Sequence, residues 1–149
     1  MAAQAWKVYN LAKKKIGNAT INLATGAFRM TLHTSASNAA TLTLGTYASA
    51  TGEVTSVASS YSSSGKACTS VQWTVGASAK QYKFKVGNVF WSANSQISNI
   101  KFALIWVSAA SAGGRHLLTV ASLTSSQFNL AAGNRLTIAI NSSGVFTVA

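Results

Sequence analysis

From Asn18 onward the 149-residue chain runs in short segments rich in Thr, Val, Ile and aromatic residues, separated by Gly, Ser and Asn. Short β-forming runs bounded by turn residues are the signature of an all-β chain. The segments expected as strands are Thr20–Leu23, Ala27–His33, Lys66–Thr74, Lys80–Ser92, Lys101–Val107, Arg115–Leu123, Gln127–Leu130, Arg135–Ile140 and Val145–Val148. Lys101–Val107 is nearly all apolar and predicts a central strand covered on both faces. Lys80–Ser92 alternates, with Tyr82, Phe84 and Val86 on one side and Lys83 and Lys85 on the other. Gly87-Asn88 within it reads as a bulge or a turn. Asn141-Ser-Ser-Gly144 reads as a four-residue hairpin loop joining the last two strands, and Ser108–Gly114 as a small-residue loop. The Ser/Thr/Ala-rich stretch from Ser35 to Ser64 predicts a long connection with a short helix near Leu44–Val54. The chain contains no proline, which leaves the turns to Gly and Ser.

The N-terminal stretch differs. Ala5, Val8, Tyr9, Ala12 and Ile16 fall at helical spacing, which predicts one helix over about residues 4–16. Its last turn carries Lys13-Lys14-Lys15, cations that complement the helix dipole, before the stop at Gly17-Asn18. No fixed-period repeat and no linker divides the chain. The expectation is therefore a single mainly β domain over residues 1–149, a β-sandwich or jelly-roll-like barrel with one N-terminal helix.

Charge narrows the function. Twelve Lys and Arg face a single acidic residue, Glu53, for a formal net charge of +11. An anionic partner follows, and the absence of balancing acids favours docking over isolation. The cations are scattered, as a dedicated phosphate-binding groove would not be. An acidic protein surface fits them better than nucleic acid. Lys7, Lys13, Lys14, Lys15, Lys83, Lys85 and Arg115 are the expected contact residues, Arg115 because it follows the Ser108–Gly114 loop. The wide Ser/Thr/Ala surface, poor in charge, suits a protein covered by neighbours.

Chemistry is harder to place. A glycosidase needs two carboxylates, and Mg, Ca and two-metal sites need hard oxygen ligands that this composition withholds. His33, His116, Cys68 and Glu53 are the whole supply of zinc ligands, a triad lacks its Asp, and no phosphate-binding Gly motif is present. The reading is of a non-enzyme with no metal and no cofactor. Cys68 is expected in the core. Trp6, Trp73, Trp91 and Trp106 lie within structured segments, where packing or subunit contacts outweigh a role as sugar-stacking platforms. The longest strongly apolar run, Phe102–Val107, is far short of the roughly 20 residues that span a bilayer, and the N-terminus lacks the apolar core of a signal peptide. The expectation is synthesis in a cytoplasm and no membrane association.

Several stretches together resemble the small virion structural proteins of tailed bacteriophages, the head decoration or cement proteins. They are Trp6-Lys-Val-Tyr-Asn-Leu-Ala-Lys-Lys-Lys-Ile-Gly, Ile21-Asn-Leu with Phe28-Arg-Met-Thr-Leu-His-Thr-Ser, Glu53-Val, Gly65-Lys, Phe90-Trp-Ser, Lys101-Phe-Ala-Leu-Ile-Trp, and Phe128-Asn-Leu-Ala-Ala-Gly-Asn-Arg-Leu-Thr-Ile-Ala-Ile-Asn with Gly144-Val-Phe. The resemblance implies a protein on the capsid exterior that binds the major capsid protein and stabilises the head against internal DNA pressure. It also implies self-association, by analogy a trimer at a local threefold. A neck, tail or fibre-base component, a basic nucleic-acid-binding β-barrel and a carbohydrate-binding module are the alternatives.

Overall fold

The computed structural model describes residues 5–108 and 114–148. It is mainly β, with antiparallel sheets and one helix near the N-terminus. The central strand β7 (Ile97–Val107) is flanked by β2 (Phe28–Thr34) and β8 (Leu117–Ser122). The sheet continues to β1 (Lys7–Val8) beyond β8 and β3 (Lys66–Ala67) beyond β2, and β9 (Phe128–Leu130) pairs with the first part of β7. Residues 103–107 of β7 are all buried, as expected for a strand covered on both faces.

Two smaller sheets complete the β structure, and the three-stranded one packs on the face of the large sheet that Phe28 presents. The first orders β4 (Gln72–Val75), β5 (Tyr82–Lys85) and β11 (Phe146–Val148) with β5 in the middle; the second pairs β6 (Val89–Ser92) with β10 (Arg135–Ile138). Phe84 of β5 packs edge-on against Phe28 of β2, ring centroids 5.0 Å apart, which ties the layers together. This is a sandwich-like arrangement. On the other side of the large sheet the 35–64 connection lies across Trp106, on whose indole Tyr47 stacks at 4.3 Å.

Several local expectations are corrected. The helix, α1, spans Asn10–Gly17, so residues 5–9 of the expected 4–16 helix are extended or irregular, Lys7–Val8 among them forming strand β1, and Gln4 lies outside the described residues. Trp6, Val8 and Tyr9 favour extended backbone, and the ladder to β8 decides the competition. The Tyr9 amide donates to the Leu118 carbonyl at 3.1 Å, and its buried hydroxyl donates to the Ala39 carbonyl at 2.5 Å. Thr20–Leu23 is a turn, though Ile21 and Leu23 are buried. The short helix near Leu44–Val54 is one 3-10 turn, Tyr47–Ser49.

Two connections change sheets. Gly87-Asn88 is neither bulge nor hairpin turn: it passes the chain from β5 in one small sheet to β6 in the other. There the Gly87 amide donates to the Thr69 carbonyl and Asn88 Oδ1 accepts from the Ile140 amide. Asn141–Gly144 is likewise no hairpin, because β10 pairs with β6 and β11 with β5. Gly144 has φ +84, and a Cβ there would lie 2.5 Å from the Phe84 carbonyl oxygen, so the crossing needs glycine. Most of the Ser108–Gly114 loop lies outside the described residues. Among the described residues no helix is long and apolar enough to cross a membrane.

Candidate interaction surface

The one carboxylate is turned inward. Glu53 forms an isolated antiparallel bridge with His33, beside the edge of β2. It accepts from the hydroxyls of Tyr47 and Tyr61, the latter at 2.7 Å, and from the Ser64 amide at 2.8 Å. Tyr61 in turn accepts from the Leu32 amide at 3.1 Å, so the charge is relayed into the backbone of β2. Burial, with the Glu53 charge second, pushes the Tyr61 phenol well above its ordinary pKa and keeps it a donor. Arg29 closes the same loop from the other side: its Nε donates to the Ser64 carbonyl at 2.8 Å and a terminal nitrogen to that of Gly65 at 2.6 Å.

His33 is fully buried between the Thr51 carbonyl, 3.1 Å from Nδ1, and the Thr31 hydroxyl, 3.2 Å from Nε2. The carbonyl assigns the proton to Nδ1 and leaves Nε2 to accept. Burial lowers the pKa of this imidazole, against the Thr51 hydrogen bond and the Glu53 charge, which raise it. Cys68 is half-buried, and burial pushes its thiol up to about 12. A thiol so raised is a poor nucleophile at neutral pH.

With Glu53 committed to neutral donors, the exterior carries cations without side-chain carboxylates to balance them. Lys83 and Lys85 stand on the same polar face of β5, opposite Phe84, with Thr74, Thr147 and Gln72 as their cross-strand neighbours. Lys83 Nζ donates to the Ser142 carbonyl at 2.9 Å. Lys13 lines a groove between α1 and β11, and Lys83 a depression on the other side of Thr147. Thr147 borders both, which brings these two candidates to one region. Lys14 is exposed, and Lys15 is half-buried with its charge felt at His116, whose pKa burial and then Lys15 lower. Lys7 lies apart, beside Phe102 and Val120. Arg115 is exposed, its guanidinium 5.6 Å from the Trp106 ring centre.

Cations outside the expected set also reach the surface in built positions. The half-exposed Phe90 ring carries the Arg135 guanidinium at 3.6 Å and the Lys66 ammonium at 4.8 Å. The register of β10 on β6 sets Arg135 diagonally across from Phe90, and Lys66 reaches the same ring from β3, relations hidden in a linear reading. Trp91 and Trp106 are buried and offer no stacking platform, while Trp6 and Trp73 are half-buried. Among the described residues no three of His, Cys, Asp and Glu come together as a metal site. Scanned against known protein families, curated proteins and solved structures, the chain matches none of them.

Proposed function

We propose that this is a bacteriophage head decoration protein, which docks on the outside of the assembled capsid through cationic side chains and stabilises the shell. The observation that carries this reading is the inward commitment of Glu53: a net charge of +11 stands on an exterior whose only side-chain carboxylate is used within the fold. Unbalanced charge of one sign favours an acidic partner and accelerates docking. Strand β5 and helix α1 present Lys83, Lys85 and Lys13 at the surface, and repeated modest contacts across capsid subunits add up by multivalency. Between free copies the same charge is repulsive, so self-association, as a trimer or otherwise, belongs on the acidic lattice.

Counting copies per purified particle by quantitative mass spectrometry tests the location. The expected result is a number comparable to that of the major capsid protein. About six or twelve copies would place the protein at the neck, tail or a fibre base, whose rings are of that order. Absence from particles would favour a nucleic-acid-binding role, with a log-log salt slope of about −0.9 per phosphate neutralised.

A further inference from the structure

The three-stranded sheet overhangs the layer beneath it. Phe84 is fully buried, yet Tyr82, two residues earlier on the same face of β5, is 47% exposed. The register sets Val75 and Val148 beside Tyr82, and these are 52% and 48% exposed. One complete cross-strand row of apolar side chains therefore projects past the sheet that the rest of the face covers. Two depressions that share Ile16 adjoin this sheet. One, of about 400 Å³, runs between α1 and β11 past Val8 and Lys13; the other, of about 230 Å³, reaches Trp73.

The larger depression is bordered by Phe146, Thr147 and Val148 in succession. Side chains alternate along a strand, so three consecutive residues line one groove only along the strand's edge. β11 is a terminal strand, paired to β5 on one side. Its Phe-Thr-Val sequence has neither the charge nor the proline that ordinarily blunts an edge.

We infer that this edge receives an extended acidic segment of a partner protein, which adds to β11 as a further strand. Alternate apolar side chains of the segment would enter the groove against Val8 and Ile16, and its carboxylates, on the segment's other face, would lie in the field of the flanking lysines, Lys13 at the groove and Lys83 beyond Thr147. Charge selects this occupant over a second copy: two molecules at +11 each meet as like charges, whereas an acidic strand is drawn in. The inference rests on the acidic-partner reading above and is independent of what the partner assembles into.

The test titrates the isotopically labelled protein with a blocked peptide of alternating Glu and Val, and with its Lys-for-Glu counterpart, followed by amide NMR and hydrogen exchange. The expected result is saturable binding of the acidic peptide alone, with shifts at Val8, Lys13 and Ile16 and slowed exchange along β11. Val148→Asp should weaken it by about tenfold or more, through lost apolar contact and like charge in the groove. Tyr82→Ser, on the exposed row, should leave β11 protection in place, and unchanged thermal midpoints would show that both variants fold. No binding at millimolar peptide, equal binding of the two peptides, or indifference to Val148→Asp overturns the inference. So does a concentration-dependent dimer that Val148→Asp abolishes, which would give the edge to a second copy. Failure here with retained particle binding removes the β11 site alone; peptide binding by a protein absent from particles removes the capsid reading alone.

Discussion

Glu53→Ala is expected to lower the unfolding free energy by about 3 kcal/mol or more, since hydrogen bonds to a charged group contribute about 1.5–3 kcal/mol each. The substitution withdraws the acceptor from three donors at once: the Tyr47 and Tyr61 hydroxyls and the Ser64 amide. Tyr61 is 2% exposed, so its O–H has no water to turn to, and a buried donor left unpaired costs more than the bond was worth. Glu53→Gln should cost less, about 1–2 kcal/mol. Its carbonyl can still accept from Tyr61 and Ser64, and its amide can donate to the Tyr47 oxygen, which only then loses its own acceptor. Urea unfolding of the pair checks the order. Equal stability of wild type and Glu53→Ala would mean that the carboxylate is a surface charge after all, and would withdraw the premise of an unbalanced exterior.

Gly65→Ala is the second large effect, expected at about 3 kcal/mol or more. Gly65 has φ +61, and a Cβ built there lies 1.9 Å from the Met30 carbonyl oxygen, a backbone atom of β2 that no rotamer change can move aside. Relief requires the 64–65 turn to lift from β2. That would break the Arg29 bonds to the Ser64 and Gly65 carbonyls and unseat the adjoining β3 pairing of Lys66 with Met30. Ser64, at φ 70, gives the contrast: Ser64→Gly relieves a left-handed conformation and should change stability by less than about 1 kcal/mol. Because Ser64 also donates to Glu53, the Glu53→Ala and Gly65→Ala losses should fall short of additive in the double variant. A Gly65→Ala protein within about 1 kcal/mol of wild type would contradict the close approach of this turn to β2.

The parts of the fold legible in the sequence are those in which one strand's own composition decides its environment. Phe102-Ala-Leu-Ile-Trp-Val is apolar at every position, and only a doubly covered strand accommodates that. The lost half of the N-terminal helix shows the limit: Ala5, Val8, Ala12 and Ile16 do fall at helical spacing, but β8 offers Lys7 and Val8 a ladder that local periodicity cannot reveal. The Asn141–Gly144 and Gly87-Asn88 connections differ from local expectation for the same reason. Turn chemistry says that the chain bends, and only tertiary pairing says which sheet it enters next.

The candidate surface divides in the same way. Residue types announced a cationic exterior, yet the meeting of Lys13 and Lys83 on either side of Thr147 depends on β11 lying between α1 and β5. Arg135 on Phe90 and the Val75–Tyr82–Val148 row are likewise products of register. Glu53 left one usable signal, a solitary acid with tyrosines at positions 47 and 61, but nothing in the spacing required both hydroxyls to converge on it.

Whether unbalanced cations hold the protein on an acidic protein lattice is decided by the occupancy of charge-reversed variants on purified capsids as salt is raised. Lys83→Glu with Lys85→Glu, and Lys13, Lys14 and Lys15 each changed to Glu, are the two variants to compare with wild type. All five side chains are exposed or half-buried, so the fold should tolerate both changes. Both variants should bind more weakly than wild type at low salt, and their residual binding should be less sensitive to salt, because fewer ion pairs remain to be screened. Wild-type occupancy by both variants, with unchanged salt dependence, would contradict attachment through these cations.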